Sequence, residues 1–268
     1  MDYSCTRLPR GSLDLALHEW TAADPHTVVF YVHGTQSHAG WLFETGPALV
    51  RLGCTVFALD RRGSGTSGGA RGDIEASRDW CDDYLAAMDV ARARYPALPV
   101  LLNGQSFGGA IAVALACDPR ATHDALLLCS PLIAPRIGFQ LWDGVPEDQP
   151  VRMPTKDVQF TTTPRYLEFI ANDALMTRSI TRKFQQARLE LAEAYFAREA
   201  PLAAKPSALV VPRVDPMIDL AGAREAYGRL AGDSGVVIEL PTTDHYLEFS
   251  SAQQLLWRLQ ASFARSFR

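Results

Sequence analysis

The sequence is poor in lysine. Of its 26 basic residues only Lys156, Lys183 and Lys205 are lysines, and 30 acidic residues leave a formal net charge of -4. With no basic surplus, an electrostatic footprint for nucleic acid is lacking. No block of like charge marks an interaction tail. The five cysteines (Cys5, Cys54, Cys81, Cys117 and Cys129) are odd in number and form no C-x-x-C pair, so neither a disulfide framework nor a zinc spacing is present. Cys54, Cys117 and Cys129 sit in apolar surroundings and read as small core residues. Met1 to Gly11 lack the apolar run of a signal peptide, and no stretch nears the ~20 apolar residues of a membrane span. The expectation is a soluble, cytoplasmic protein with no integral membrane segment and no nucleic-acid partner.

What is present is ordinary globular composition, 47% hydrophobic and 21% charged, over 268 residues. That suits one large α/β domain. Short apolar runs recur at Thr27–Val32, Cys54–Leu59, Pro99–Leu102, Ala125–Leu128, Ala208–Val211 and Val236–Leu240. Continuous runs of this kind fit strands covered on both faces. Between them lie helix candidates. In Asp73–Tyr95 an inward stripe of Trp80, Tyr84 and Met88 is spaced i, i+4, i+8, and Pro96 ends the helix. Near the end, Ser250 or Ser251 caps a helix with Leu255, Leu256, Leu259 and Phe263 on its apolar face. Two opening segments, around Tyr3–Leu8 and Leu13–Trp20, add a hairpin. The alternation predicts a mostly parallel, doubly wound α/β sheet.

From Ile133 to Pro206 no parallel-strand run appears. Prolines lead into a helical stretch from about Arg165 to Ala200. The expected division is a core of residues 1–132 and 206–268, and a cap inserted at 133–205.

The strongest chemical signal is Gly104-Gln105-Ser106-Phe107-Gly108-Gly109 between a strand and a helical run. A G-x-S-x-G there is a nucleophile elbow: the sharp turn exposes the serine, and the helix start offers N–H groups to developing negative charge. In an α/β-hydrolase architecture the loop His33-Gly34-Thr35-Gln36, directly after the first apolar run, would supply the second oxyanion donor, so the expected pair is the Thr35 and Phe107 N–H groups. His33 reads as a structural histidine of that loop, and Asp60-Arg61-Arg62-Gly63-Ser64-Gly65-Thr66-Ser67 as a structural loop with charge pairing. His38 and Trp41 line the entrance or pack nearby, and Gln36 joins the candidate substrate contacts.

A serine nucleophile needs a base and an orienting carboxylate, and in the hydrolase architecture that such an elbow belongs to, the chain order is Ser, acid, His. Of the six histidines only His123 and His245 follow Ser106, and His123 stands just ahead of a core strand. His245 is therefore the base. Asp215 and Asp219 follow the apolar run Ala208–Val211, and Asp215, nearer its end, is the chosen acid. Asp244 adjoins His245 in sequence, where side chains rarely face each other.

These motifs, with Asp215-Pro216-Met217-Ile218-Asp219, resemble the α/β-hydrolase superfamily and, within it, the monoacylglycerol lipase-like (serine aminopeptidase S33-like) serine hydrolases, over nearly the whole chain. Phe160-Thr161-Thr162-Thr163-Pro164 is similar to the cap of bacterial members. Where members often carry Gly shortly before the acid, Pro212-Arg213-Val214 stands here. The resemblance implies cleavage of a small carboxylic ester through an acyl-enzyme, with no cofactor and no metal. A thioesterase or acyl-transfer hydrolase and a non-catalytic binding module are the alternatives. The apolar residues of 133–206 include Phe139, Trp142 and Phe160, which are the expected cap contacts to substrate.

Overall fold

A computed structural model describes residues 2–134 and 144–267. The chain opens with a hairpin of β1 (Asp2–Arg10) and β2 (Leu13–Thr21), followed by β3 (Thr27–Val32), α1 (Thr45–Arg51), β4 (Cys54–Leu59), α2 (Ser77–Arg94), β5 (Val100–Gln105), α3 (Phe107–Ala116) and β6 (Ala125–Cys129). Next come β7 (Val151–Arg152), α4 (Pro164–Asn172), β8 (Ser179–Ile180) and α5 (Arg182–Phe196). The chain closes with β9 (Ser207–Pro212), α6 (Leu220–Ala231), β10 (Gly235–Leu240) and α7 (Gln253–Phe263). Eight strands form one sheet in the order β1-β2-β4-β3-β5-β6-β9-β10. The pairs β1–β2 and β2–β4 are antiparallel and the rest parallel.

The apolar runs fill both faces because alternate residues of a strand point opposite ways. Val28, Phe30, Val32, Leu102, Leu126 and Leu128 share one core with α2, α3 and α5, to which α2 contributes the stripe Trp80, Tyr84 and Met88. Val29, Tyr31, Leu101 and Leu127 share the other with Ala48 and Leu49 of α1 and Leu256 and Trp257 of α7. The parallel strands end on one edge, which is where Ser106 emerges.

Three expectations need correction. Val236 and Val237 are 45% and 48% exposed, because β10 is an edge strand. Leu255 is half exposed while Leu256 is buried; each step along a helix turns about 100°, and the face set by Leu256, Gln260 and Phe263 leaves Leu255 outside. The stretch from Arg165 to Ala200 is two helices, not one. Its break is at β8, which pairs with β7, and Thr181 restarts the helix by accepting the Phe184 N–H at 3.1 Å.

The segment between β6 and β9, neighbours in the sheet, does not keep its apolar residues to itself. Phe184, Leu191 and Tyr195 of α5 belong to the main core. Phe160, Tyr166, Ile170 and Met176 cluster with Trp41, Tyr246 and Phe249 from outside the segment.

Candidate active site

Ser106 sits between β5 and α3 with φ 53 and ψ -123, a left-handed conformation rare for a side-chain-bearing residue. Its N–H donates to the Cys129 carbonyl at 3.0 Å and its own carbonyl accepts from Leu132 at 2.8 Å, so the strained turn is held from both sides. Gly108 is required by contact: a Cβ there would stand 2.0 Å from the Val32 carbonyl oxygen. Gly34 is equally tight, since its Cβ would meet Gln105 Oε1 at 2.5 Å and Ser106 Cβ at 3.2 Å.

The loop carrying Gly34 is fixed from behind by Arg61. This guanidinium is almost wholly buried and donates to the carbonyls of His33, Gly34 and Thr35 at 2.7, 2.8 and 3.1 Å. A trans peptide points its N–H opposite its C=O. With the Gly34 carbonyl on Arg61, the Thr35 N–H is turned away from Arg61. Among the described residues neither it nor the Phe107 N–H, in the first turn of α3, meets an acceptor. His33 is buried, and its Nε2 accepts the Arg61 N–H at 3.2 Å. Burial and the Arg61 charge push its pKa well below the usual histidine value, so it is neutral.

The Asp60–Ser67 turn anchors this arrangement. Asp60 accepts from Ala39 N–H at 2.7 Å and Thr66 N–H at 2.9 Å and lies 3.2 Å from His18 Nε2. Burial alone would raise its pKa, but these partners hold it below the usual carboxylate range. Arg62 pairs with Asp83 at 2.6 Å.

Asp215, in the loop after β9, faces His245 Nδ1 at 2.9 and 3.1 Å. It also accepts the N–H groups of Met217 at 2.8 Å and Ile218 at 2.9 Å. Burial opposes its charge, yet His245 and these donors win and its pKa lies below the usual value. Asp219 is exposed and caps α6 through the Ala221 N–H at 3.0 Å. Asp244 is also engaged elsewhere, accepting Thr162 N–H at 2.7 Å. His123 precedes β6, at the far end of the parallel strands from Ser106. His245 is buried, and its Nε2 has no partner among the described residues.

A cleft of about 290 Å³ opens over Ser106. Thr35, Gln36 and Phe160 line it. Trp41 does not, which corrects the expectation of a substrate contact: it is fully buried, 5.0 Å from Tyr246 and 5.4 Å from Phe249, and its Nε1 donates to Asp173 at 2.7 Å. His38 packs beside it, its Nε2 3.1 Å from Asp173. Phe139 and Trp142 lie outside the described residues. Sequence reasoning missed Met153, Gln159, Gln185, Arg188, Met217 and Ile218 in the lining. Only the i, i+3 spacing of Gln185 and Arg188 on one helix was available as a signal. It also missed Glu248, a fully buried carboxyl hydrogen-bonded by the Tyr31 hydroxyl, three residues after His245 in the chain.

A left-handed serine at a strand–helix turn, above a mostly parallel sheet with a short antiparallel start, defines an α/β-hydrolase. Solved structures share this fold: monoacylglycerol lipase from Paleococcus ferrophilus (TM-score 0.80, 17% identity, 95% of this chain and 99% of that one). A soluble variant of monoglyceride lipase from Saccharomyces cerevisiae does so too (TM-score 0.83, 14% identity, 97% and 94%). Within that class the chain belongs to the serine aminopeptidase S33 family, whose model matches residues 23–249. Among curated relatives, monoacylglycerol lipase of Mycolicibacterium smegmatis is 31% identical over 46% of this chain and 44% of its own, and human monoglyceride lipase 36% identical over 41% and 36%. The chain thus spans about four-tenths of the curated relatives it matches. Among the described residues no helix is long and apolar enough to cross a membrane.

Proposed function

We propose that the protein is a serine hydrolase that cleaves a carboxylic ester through an acyl-enzyme. Ser106 is the nucleophile, His245 the base and Asp215 the group that orients it. The observation that carries this reading is the state of His245. Asp215 occupies Nδ1, which fixes the proton there, and leaves Nε2 buried with no partner among the described residues, ready to take a hydroxyl proton. As Ser106 attacks the ester carbonyl, its proton passes to Nε2, and the imidazolium is stabilised by a carboxylate whose low pKa keeps it ionised. The Thr35 and Phe107 N–H groups donate to the developing oxyanion; the first is oriented by Arg61 and the second sits at the start of a ten-residue helix. The imidazolium then protonates the leaving alcohol. Water, deprotonated by the same imidazole, releases the acid and restores Ser106.

Within the segment 133–205 the described residues roof the cleft, to which they contribute Met153, Gln159, Phe160, Ile180 and Arg188. The names of the relatives support an ester of a small acyl molecule as substrate. Five free cysteines fit a reducing, cytoplasmic setting. The test is Ser106→Ala. Hydrolysis of p-nitrophenyl esters should fall by roughly 10³-fold or more, and covalent labelling by a fluorophosphonate should vanish, with the melting temperature little changed. Turnover near the native rate would refute the mechanism.

A further inference from the structure

Behind the base lies a second carboxyl that the acyl-enzyme cycle leaves unused. Glu248 stands three residues after His245, in the short turn Leu247–Phe249, where the Phe249 N–H returns to the Tyr246 carbonyl at 2.9 Å. Its side chain is fully buried. One oxygen takes the hydroxyl of Tyr31, on the strand β3 that runs directly into the loop of His33, Gly34 and Thr35. The other oxygen meets no partner among the described residues. Tyr246 and His245 face the carboxyl from its own strip, and Cys129 faces it from β6. The Cys129 carbonyl in turn accepts the Ser106 N–H at 3.0 Å. One carboxyl thus adjoins the strand behind the oxyanion loop, the strand beside the nucleophile and the base.

Burying an acid costs more than burying an amide of the same shape, and an amide would serve Tyr31 as well. What the acid adds is a charge that can appear. Burial, and after it the charge of Glu248, pushes the hydroxyls of Tyr31 and Tyr246 and the Cys129 thiol well up, so these three stay neutral. Glu248 itself is raised by burial and drawn back by the Tyr31 hydrogen bond and the His245 charge, and titrates at about 7. The attraction between the two is mutual: an imidazolium that favours the carboxylate is favoured by it to the same extent.

We propose, on the reading of the protein as an ester-cleaving serine hydrolase, that Glu248 is a positioning residue acting through His245, a second carboxylate whose charge stabilises the imidazolium formed as Ser106 attacks. Asp215 holds the ring by Nδ1 and fixes its direction. Glu248 supplies charge from a dry site, where a charge is felt more strongly than in water. It does not line the cleft, so its effect reaches the ester only through the base.

The test is a ratio followed across pH. Glu248→Gln keeps an acceptor for Tyr31 and removes the charge. With a neutral p-nitrophenyl ester, kcat of native over variant should be near one at about pH 5.5, where the native carboxyl is protonated. It should rise by roughly 3- to 10-fold at about pH 8.5, as for neighbouring charges that move each other by up to about one pH unit. KM should be nearly unchanged. The rate of fluorophosphonate labelling, which uses the same base, should show the same rise. Tyr31→Phe leaves the carboxyl in place but removes a hydrogen bond that favours its charged form, so in that variant the rise should move to higher pH. If Glu248→Gln does not fold, this second variant decides. A loss of kcat equal at both ends of the pH range is what a purely structural role gives, and it would overturn the proposal, as would a rise that Tyr31→Phe leaves in place. Normal hydrolysis and labelling with a flat ratio sink the role of Glu248 alone; a native protein that neither hydrolyses nor labels sinks the hydrolase reading with it.

Discussion

Glu248 offers a measurable consequence of burial near the site. Its carboxyl is fully buried, takes the Tyr31 hydroxyl on one oxygen, and has no partner among the described residues on the other. Tyr246, Cys129 and His245 surround it. Burial is the largest influence and raises the pKa; the Tyr31 hydrogen bond and the His245 charge pull the other way, and the balance is a rise from 4.5 to about 7. Between those values the folded protein holds a proton that the unfolded chain has released. Raising the pH therefore favours unfolding: the contribution is fully present below pH 4.5 and is lost as pH rises through about 7. At about 1.4 kcal/mol per pH unit the whole change is roughly 3 kcal/mol. Glu248→Gln keeps an acceptor for Tyr31 and abolishes the titration. Relative to the native protein the variant should gain roughly 3 kcal/mol between pH 5 and pH 8, about 6–12 °C in melting temperature. Urea or thermal unfolding at the two pH values reads it. Parallel pH profiles for native and variant would refute the reasoning.

Other substitutions test single contacts. Asp215→Asn should lower kcat by about 10⁴, whereas Asp219→Asn, at a helix cap, should leave kcat unchanged and shift stability by less than ~1 kcal/mol. The reverse order in steady-state kinetics would reassign the acid. Arg61→Met leaves three loop carbonyls unsatisfied, so it should destabilise by about 3 kcal/mol or more and slow turnover of whatever folds, measured by denaturation and kcat. Trp41→Ala removes a buried side chain and its aromatic contacts and should cost about 3–5 kcal/mol with KM nearly unchanged, since Trp41 does not line the cleft.

The central strands were legible because continuous apolar runs leave one interpretation: β3 and β4 fall on the residues read as runs. The elbow was legible because the sharp turn admits only glycine at Gly108. Where burial depends on which element lies alongside, the sequence is silent. Val236 and Val237 look like core until β10 proves to be an edge, and Leu255 differs from Leu256 only by the direction α7 faces. Trp41 and Phe160 are alike on paper; one is walled in by Tyr246 and Phe249, the other borders the cleft. Nothing in the sequence sets Arg188 apart from the other arginines, since only the packing of α5 on α3 brings it to the cleft.

The strip from Gln159 to Thr162 is sewn to the loops that carry the acid and the base. Gln159 donates to the Pro216 carbonyl at 3.1 Å, Tyr246 N–H to the Phe160 carbonyl at 2.8 Å, and Thr162 N–H to Asp244 at 2.7 Å. On the proposed reading, a displacement of this strip wide enough to widen the cleft would strain these bonds and disturb the loops of Asp215 and His245. On the same reading, turnover on a dissolved ester should not wait for a lipid–water surface to pull this strip aside.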